Sequence, residues 1–229
     1  MTLLKSVTAS LVLAVGIVCG STSALAQEQE DLLASTTAQW WQYINSIPPA
    51  VNPLLDPSGV FCMVGQRDPM WFLTGAFFGG TATRTCTVPA GEALFFPVIN
   101  YVNFNTPYIC GQGGPMDAAE LRAPAAAYID GATNLSVKVD GKAVKDLMRI
   151  KSDVFAITLP ADNIWNSGCR GPGSVPAGVY SPSIDDGYYV LLKPLSVGNH
   201  MLHIHAEVPS QKFLLDVTYD LVVVPVQVK

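Results

Sequence analysis

Apolar and polar residues alternate with a period of two through the C-terminal third of the chain. Between residues 202 and 208 the apolar side chains occupy the even positions, and between 213 and 223 every odd position is apolar. Successive side chains of a strand point to opposite faces, so each segment predicts a strand with one buried face. We expect the core face to contain Leu202, Ile204, Val217, Tyr219 and Leu221. A third segment at 187–193 predicts a preceding strand, and the three together predict an antiparallel meander.

The four residues between the last two strands predict a hairpin turn that pairs Val208 with Phe213. This register places His205 opposite Asp216 and His203 opposite Thr218, at the close approach of cross-strand neighbours. A neighbouring carboxylate favours the imidazolium form, so we expect a raised pKa for His205.

Upstream, the pattern predicts two helices and further short strands. Residues 27–47 have an approximate three-to-four apolar spacing that ends at Pro48-Pro49, and Asp117-Ala-Ala-Glu120 is a capping box that opens a helix to about Ile129. Gly79-Gly80 predicts a hairpin turn between strands at 70–78 and 81–88. Residues 93–99 predict a strand that is buried on both faces. Residues 135–144 predict a hairpin around Asp140-Gly141, and residues 154–159 predict another strand. Residues 163–186 predict a long loop.

Many short strands with Gly- and Pro-rich turns predict a mainly β fold. The expected architecture is an antiparallel β-sandwich, immunoglobulin-like or jelly-roll, with an N-terminal helix and a short inserted helix. Residues 27–229 are expected to form a single domain onto which the helix at 27–47 packs. The low charged fraction of 14%, with 19 Gly and 17 Pro, fits a loop-rich β protein.

The first 26 residues are typical of a secretory signal peptide. Lys5 supplies the positive charge, residues 11–18 form an apolar stretch, and Ala24-Leu25-Ala26 is a small-residue cleavage site. Cleavage would leave an acidic chain without basic clusters, which argues against nucleic acid as a partner, and no later segment is long and apolar enough to span a membrane. We expect a secreted or periplasmic protein.

Four cysteines would remain after cleavage, which predicts two disulfides in an oxidising compartment. Of the three pairings, we favour Cys62 with Cys86 and Cys110 with Cys169. The first pair brackets a compact apolar block, and the second would fasten the long loop to the core.

The segment WFLTGAFFGGTATRTCTVPAGEALFFPVIN, at residues 71–100, resembles a group of secreted bacterial proteins that is uncharacterised. The N-terminal WW…IPPAVNPLLDPSG and the C-terminal DGYYVLLKPLSVGNHMLHIHA are similar to the same group. The resemblance supports a bacterial, extracytoplasmic protein and implies no activity, cofactor or catalytic residue.

Amides and aromatic rings cluster in NYVNFNTPY at residues 100–108, a combination that sugar-binding sites use because rings stack and amides fix hydroxyl groups. The candidate ligand-binding residues are Asn100, Tyr101, Asn103, Asn105 and Tyr108. The alternative is a turn-rich loop in which Asn tolerates left-handed backbone geometry.

The predicted strand at residues 200–208, called the histidine strand below, carries on its outward face Met201, His203, His205 and Glu207. Together with Asp216 on the next strand, the last three could form a zinc or copper site. The favoured interpretation is a polar outer face without a resident cofactor. Asp185-Asp186 is similarly interpreted as a pair of solvated turn residues rather than a glycosidase acid pair.

The sequence therefore favours a secreted, disulfide-stabilised binding or scaffolding protein. Its ligand would be a carbohydrate or other polar small molecule, or a surface polymer. The alternative is an extracytoplasmic hydrolase or metal-dependent enzyme that uses the face of His203, His205 and Glu207.

Overall fold

The computed structural model describes residues 21–67, 70–168 and 175–226. These residues form a mainly β protein with two five-stranded sheets, as the sequence predicts at that level. The helices are α1 (Ser21–Ser46), α2 (Ala118–Asp130) and the short α3 (Trp165–Gly168). The strands are β1 (Met70–Phe72), β2 (Gly80–Pro89), β3 (Ala93–Phe104), β4 (Thr133–Val139), β5 (Lys142–Ala143), β6 (Met148–Lys151), β7 (Phe155–Leu159), β8 (Gly178–Leu192), β9 (Gly198–Val208) and β10 (Phe213–Val224).

Both sheets are mixed rather than wholly antiparallel, which corrects that part of the prediction. The first sheet has the order β1-β3-β8-β6, with β7 also paired to β8, and the second has the order β2-β10-β9-β4-β5. The pairs β1–β3 and β10–β2 are parallel. Because β2 lies in the second sheet, the chain leaves the first sheet after β1 and re-enters it along the same direction in β3.

Two apolar cores lie on opposite faces of the first sheet. One contains residues from both sheets, such as Phe96 and Val190 of the first with Ile204 and Leu221 of the second. The other contains α1 residues, including Trp40 and Ile44, with Phe95 and Tyr189 of the sheet. The helix α2 covers a further part of β3 and β8 through Leu121 and Ala125. The first sheet is therefore the central layer that positions the candidate site.

The last hairpin confirms the register predicted from the alternation. Val208 pairs with Phe213 across a four-residue connection, so His205 lies opposite Asp216 and His203 opposite Thr218. The five predicted core residues of the hairpin are all buried. The capping box at Asp117 and Glu120 is present at the start of α2. The predicted β4–β5 hairpin and the double-sided burial of 94–99 in β3 are likewise confirmed.

The predicted hairpin at Gly79-Gly80 is wrong, because β1 and β2 belong to different sheets. Both glycines have positive φ, of 73° and 93°. A Cβ at Gly79 would lie 2.6 Å from the carbonyl oxygen of Leu214, so this glycine permits close approach to the start of β10. The dipeptide marks a crossing between sheets rather than a return along one of them.

The predicted meander and the predicted long loop are also wrong. The strand β8 begins at Gly178, well inside the segment expected to be loop, and it belongs to the first sheet while β9 and β10 belong to the second. Pro182, Asp185, Asp186 and Gly187 resemble loop residues locally. Burial between neighbouring strands overrides that local preference.

The disulfide between Cys62 and Cys86 confirms the first predicted pairing. Cys110 is also disulfide-bonded. Its predicted partner Cys169 lies outside the described residues, as does most of the predicted signal peptide. The described part of α1 begins at Ser21 and includes nearly all of the helix expected at 27–47.

Candidate ligand-binding cleft and buried acid

A cleft of about 880 Å³ runs along β3 between α1, α2 and α3. Its walls include the loop at residues 75–78 and the start of β10. Its lining includes several aromatic side chains, among them Trp40, Trp41, Phe77, Phe78, Tyr128 and Trp165. A cleft that combines aromatic side chains with polar groups able to fix a ligand is a common form of small-molecule site. This cleft is therefore the candidate functional site.

The aromatic rings of one wall contact each other in sequence. Phe78 packs edge-on against Phe77 with ring centroids 4.8 Å apart, and Phe77 packs edge-on against Trp165 at 5.3 Å. Phe78 is 70% exposed although it lines the cleft. An exposed ring at the mouth of a cleft is available to stack on a ligand.

A second cavity of about 390 Å³ adjoins the cleft. The two share Tyr101, Val102 and Trp165 as lining residues. The smaller cavity is formed by the end of β3 and the loop at 106–116, so the two volumes lie one after the other along β3.

The structure brings together three of the five predicted ligand-binding residues. Asn100 lines the cleft, Asn103 lines the smaller cavity, and Tyr101 lines both. Asn105 instead organises the following loop, because its side-chain oxygen accepts hydrogen bonds from the Gln112 amide at 2.8 Å and the Met116 backbone at 3.0 Å. Tyr108, with φ of 63°, is 81% exposed and lines neither volume. These two residues fit the turn-rich loop that was the alternative interpretation.

A buried carboxyl group lies directly behind the cleft, and the sequence interpretation missed it. Asp185 on β8 is fully buried. Its Oδ1 accepts a hydrogen bond from Trp41 Nε1 at 2.6 Å, and its Oδ2 accepts one from the Tyr189 hydroxyl at 2.8 Å. The Tyr189 oxygen in turn accepts a hydrogen bond from Asn100 Nδ2 at 2.9 Å. Burial raises the pKa of Asp185 to about 7, despite the donors from Trp41 and Tyr189 that lower it.

The arrangement depends on Gly187. Asp185, Gly187 and Tyr189 share one face of β8, and the missing side chain at the middle position lets the Tyr189 hydroxyl reach Asp185. A Cβ at Gly187 would lie 2.6 Å from Asn100 Cβ and 2.8 Å from Asn100 Cα. Glycine is therefore required for β8 to approach β3 at this point.

The neighbouring acid has a different role. Asp186 is nearly buried and is held by Arg149, whose Nε and Nη2 lie 3.0 and 2.9 Å from its two oxygens. Arg149 also contacts Asp130 at 2.6 Å, and these carboxylates raise the pKa of the guanidinium. The interpretation of Asp185 and Asp186 as solvated turn residues is thus wrong. Adjacent strand residues point to opposite faces, so the two carboxyls do not converge on one cleft either.

A buried arginine supports the opposite wall of the cleft. Arg84 on β2 is 2% exposed, and its Nη1 donates hydrogen bonds to the Thr74 and Gly75 carbonyls and to the Tyr219 hydroxyl. Gly75 lines the cleft. A buried cation that is satisfied largely by carbonyl oxygens fixes the backbone that supplies them.

The histidine strand forms a network on the outer face of the second sheet. Asp216 lies between His203 and His205, with contacts of 3.1 and 3.0 Å, and the second ring nitrogen of His205 lies 3.0 Å from Glu207. The hydrogen bond to Asp216 raises the pKa of His205, in the predicted direction. The described residues contain no group of three or more His, Cys, Asp or Glu arranged to hold a metal ion. The rings and carboxylates hydrogen bond to each other instead, and this face is separate from the cleft.

The chain matches no protein-family model, no curated protein and no solved structure. Within the described residues, no helix has the length and apolar character needed to cross a membrane. The resemblance of residues 71–100 to secreted bacterial proteins stays a prediction. The function is therefore inferred from the geometry of the cleft and of the groups behind it.

Proposed function

We propose that this protein is a binding protein of the secreted or periplasmic type, and that it holds a carbohydrate in the cleft along β3. The observation that carries this proposal is the aromatic cleft of about 880 Å³ with Asn100 and Tyr101 in its lining. Sugar rings present apolar faces to aromatic side chains and hydroxyl groups to amides. A free oligosaccharide and a chain of a surface polysaccharide present the same chemistry.

The scaffold would be a β-sandwich, of immunoglobulin-like or jelly-roll type, formed by the two sheets. The core to which both sheets contribute supports this architecture. The disulfide between Cys62 and Cys86 supports an oxidising compartment. The sequence block at 71–100 supports membership of the secreted bacterial group that it resembles.

The test is a titration of the full chain with soluble cello-, xylo-, malto- and chito-oligosaccharides, followed by tryptophan fluorescence and calorimetry. Trp41 and Trp165 line the cleft, so a ligand that stacks there changes their emission. The expected result is saturable binding of one oligosaccharide series. Absence of binding across all four series contradicts the carbohydrate proposal.

Two exposed aromatic residues provide a matched pair of variants. Phe78 is 70% exposed and lines the cleft, whereas Tyr108 is 81% exposed and lies outside it. We expect Phe78→Ala to weaken binding by about 5-fold, the equivalent of a stacking contact of roughly 1 kcal/mol. Tyr108→Ala should leave the affinity unchanged. Equal effects of the two substitutions would show that the ligand does not occupy the cleft.

The second candidate is an enzyme that uses the outer face of His203, His205 and Glu207. The favouring observation is the close contact of His205 with two carboxylates, an arrangement found in general acid-base sites. Hydrolysis of any of the test oligosaccharides that is abolished by His205→Ala would support this function over simple binding.

A further inference from the structure

A continuous chain of hydrogen bonds links the buried acid to two residues that line the cleft. Asp185 accepts from Trp41 on one side and from Tyr189 on the other, and Tyr189 accepts from Asn100. Trp41 and Asn100 both line the cleft, whereas Asp185 is fully buried. The acid thus acts on the site only through its neighbours.

The direction of each hydrogen bond in this chain depends on whether Asp185 carries a proton. An ionised carboxylate can only accept hydrogen bonds, so the Tyr189 hydroxyl donates to Asp185. The Tyr189 oxygen in turn accepts a hydrogen bond from Asn100 Nδ2, as observed. The opposite end of the amide, Oδ1, is then left for the cleft.

Addition of one proton to Asp185 reverses this direction. The carboxylic acid must donate, and the indole of Trp41 cannot accept because it is a donor only. Tyr189 can accept a hydrogen bond from the acid, and Asn100 is then the neighbour to which its own hydroxyl can donate. The amide satisfies that donor by rotating to present Oδ1 to Tyr189, which leaves Nδ2 for the cleft.

We propose that the protonation state of Asp185 determines, through Tyr189, which end of the Asn100 amide faces the cleft, and thereby couples ligand binding to pH. The coupling to a ligand rests on the proposed binding function, whereas the reversal of the hydrogen bonds does not. Asp185 is a positioning residue in this scheme, since it does not touch the ligand.

The surroundings of Asp185 permit both states near neutral pH. Burial raises its pKa to about 7. The titratable groups against it are Tyr189, whose own pKa burial raises well above its usual value, and Asp186, which is paired with Arg149. The helix α1 contributes Trp41 and Thr37, β3 contributes Asn100, and the segment after β6 contributes Ser152, whose hydroxyl accepts from the Asp185 backbone. None of these four titrates in this range.

Among the described residues, Thr37 offers a competing route for the proton, because its side chain is within hydrogen-bond reach of the Asp185 carboxyl. Its hydroxyl donates to the Ala34 carbonyl at 2.9 Å, so its oxygen could accept from a protonated Asp185. The variant Thr37→Val removes that acceptor and keeps the shape of the side chain. The proposal requires the response of Asn100 to survive this substitution.

The test that needs no ligand is NMR of the full chain between pH 5 and 9, observing the side-chain amide of Asn100 and the indole N–H of Trp41. Asn100→Asp and Trp41→Phe assign the two signals. We expect both signals to titrate together with a midpoint near pH 7, and Asp185→Asn to abolish the titration. Tyr189→Phe should abolish it for Asn100 alone, whereas the neighbouring control Tyr188→Phe should leave it intact.

An Asn100 amide that does not titrate in the wild-type chain would overturn the proposal, whatever the variants do. Titration that persists in Tyr189→Phe would overturn the route through Tyr189. The wild-type measurement can overturn the proposal without any variant, so the proposal stays falsifiable even if a variant fails to fold.

The ligand part is tested at pH 5.5 and 8.5 with the tetrasaccharides of the cello-, xylo-, malto- and chito- series. We expect the affinity of at least one of them to differ by about 5-fold or more between the two pH values, the lower range of typical coupling, and to become pH-independent in Tyr189→Phe. Failure of all four to bind while Asn100 titrates would contradict the carbohydrate proposal but leave the hydrogen-bond reversal standing. Binding that is equal at both pH values while Asn100 titrates would overturn the coupling.

Discussion

Substitution of Asp216 by Asn tests the histidine network on the outer face of the second sheet. The carboxylate contacts His203 Nε2 at 3.1 Å and His205 Nδ1 at 3.0 Å. Asparagine keeps the size of the side chain and removes its charge. The expected result is a loss of unfolding free energy that is larger at pH 6 than at pH 9.

The pH window follows from the two pKa shifts. The hydrogen bond to Asp216 raises the pKa of His205 above its usual 6.5, so its contribution is complete below the unfolded value and is lost as pH rises through the folded one. Burial alone would raise the pKa of Asp216, but hydrogen bonds from His205 and His203 outweigh it and lower that pKa. Its contribution is present above the unfolded value of 3.8 and is lost as pH falls through the folded one. The pairing of His205 with Asp216 is therefore most stabilising between the two unfolded pKa values, 3.8 and 6.5.

The magnitude follows from the exposure of the groups. The three side chains are 21% to 32% exposed, so solvent screens the charges, and each contact should contribute at most about 1 kcal/mol. We expect Asp216→Asn to cost about 1–2 kcal/mol at pH 6 and about 0.5 kcal/mol at pH 9. High salt should reduce the loss at pH 6.

The assay is urea unfolding followed by circular dichroism at both pH values. Asp220→Asn is the matched control, because Asp220 lies on the same face of β10, is exposed, and is opposite Met201 rather than a histidine. Its effect should stay within about 0.5 kcal/mol at both pH values. An equal loss at pH 6 and pH 9 for Asp216→Asn would refute the charged pairing.

Three further predictions concern the core, the disulfide and metal binding. Leu221→Ala removes a fully buried side chain from the core shared by both sheets and should cost about 2–5 kcal/mol by urea unfolding, whereas Leu214→Ala, at a site 43% exposed, should cost less than about 1 kcal/mol. An unchanged unfolding midpoint for Leu221→Ala would contradict the face assignment of β10. Replacing Cys62 and Cys86 together by Ser should destabilise the protein by about 3 kcal/mol, because the disulfide closes a loop with a sequence separation of 24. A melting temperature equal to that of the wild type would contradict this stabilising role of the disulfide. Treatment with chelator should leave the melting temperature unchanged, because His203 and His205 are paired with Asp216. Stoichiometric Zn or Cu in the purified protein would instead support a metal site at these residues.

The sequence alone predicts the parts of the protein whose signals are local. Alternation with a period of two specifies the buried faces of β9 and β10, and a slip by one residue would expose every core side chain of a strand. The four-residue connection then sets the register, which is why the contact of His205 with Asp216 was predicted correctly. The capping box at Asp117 and Glu120 needs only residues three apart, so it too could be read from the chain.

The candidate site was predicted only in part. Asn100 and Tyr101 were identified because amides and aromatic rings are concentrated in one segment, and both line the cleft. The same pattern included Asn105, whose side chain serves the following loop. Composition indicates where polar and aromatic groups occur, but it does not indicate which of them meet in space.

Only the tertiary structure decided the sheet to which each strand belongs and the role of Asp185. The parallel pairing of β10 with β2 joins segments far apart in sequence, and no local pattern encodes it. Asp185 lies among residues typical of a turn, yet its partner Trp41 is 144 positions away and excludes water from it. A carboxyl group takes its pKa and its hydrogen-bond partners from the groups that surround it in space, and those groups are assembled only when α1, β3 and β8 pack together.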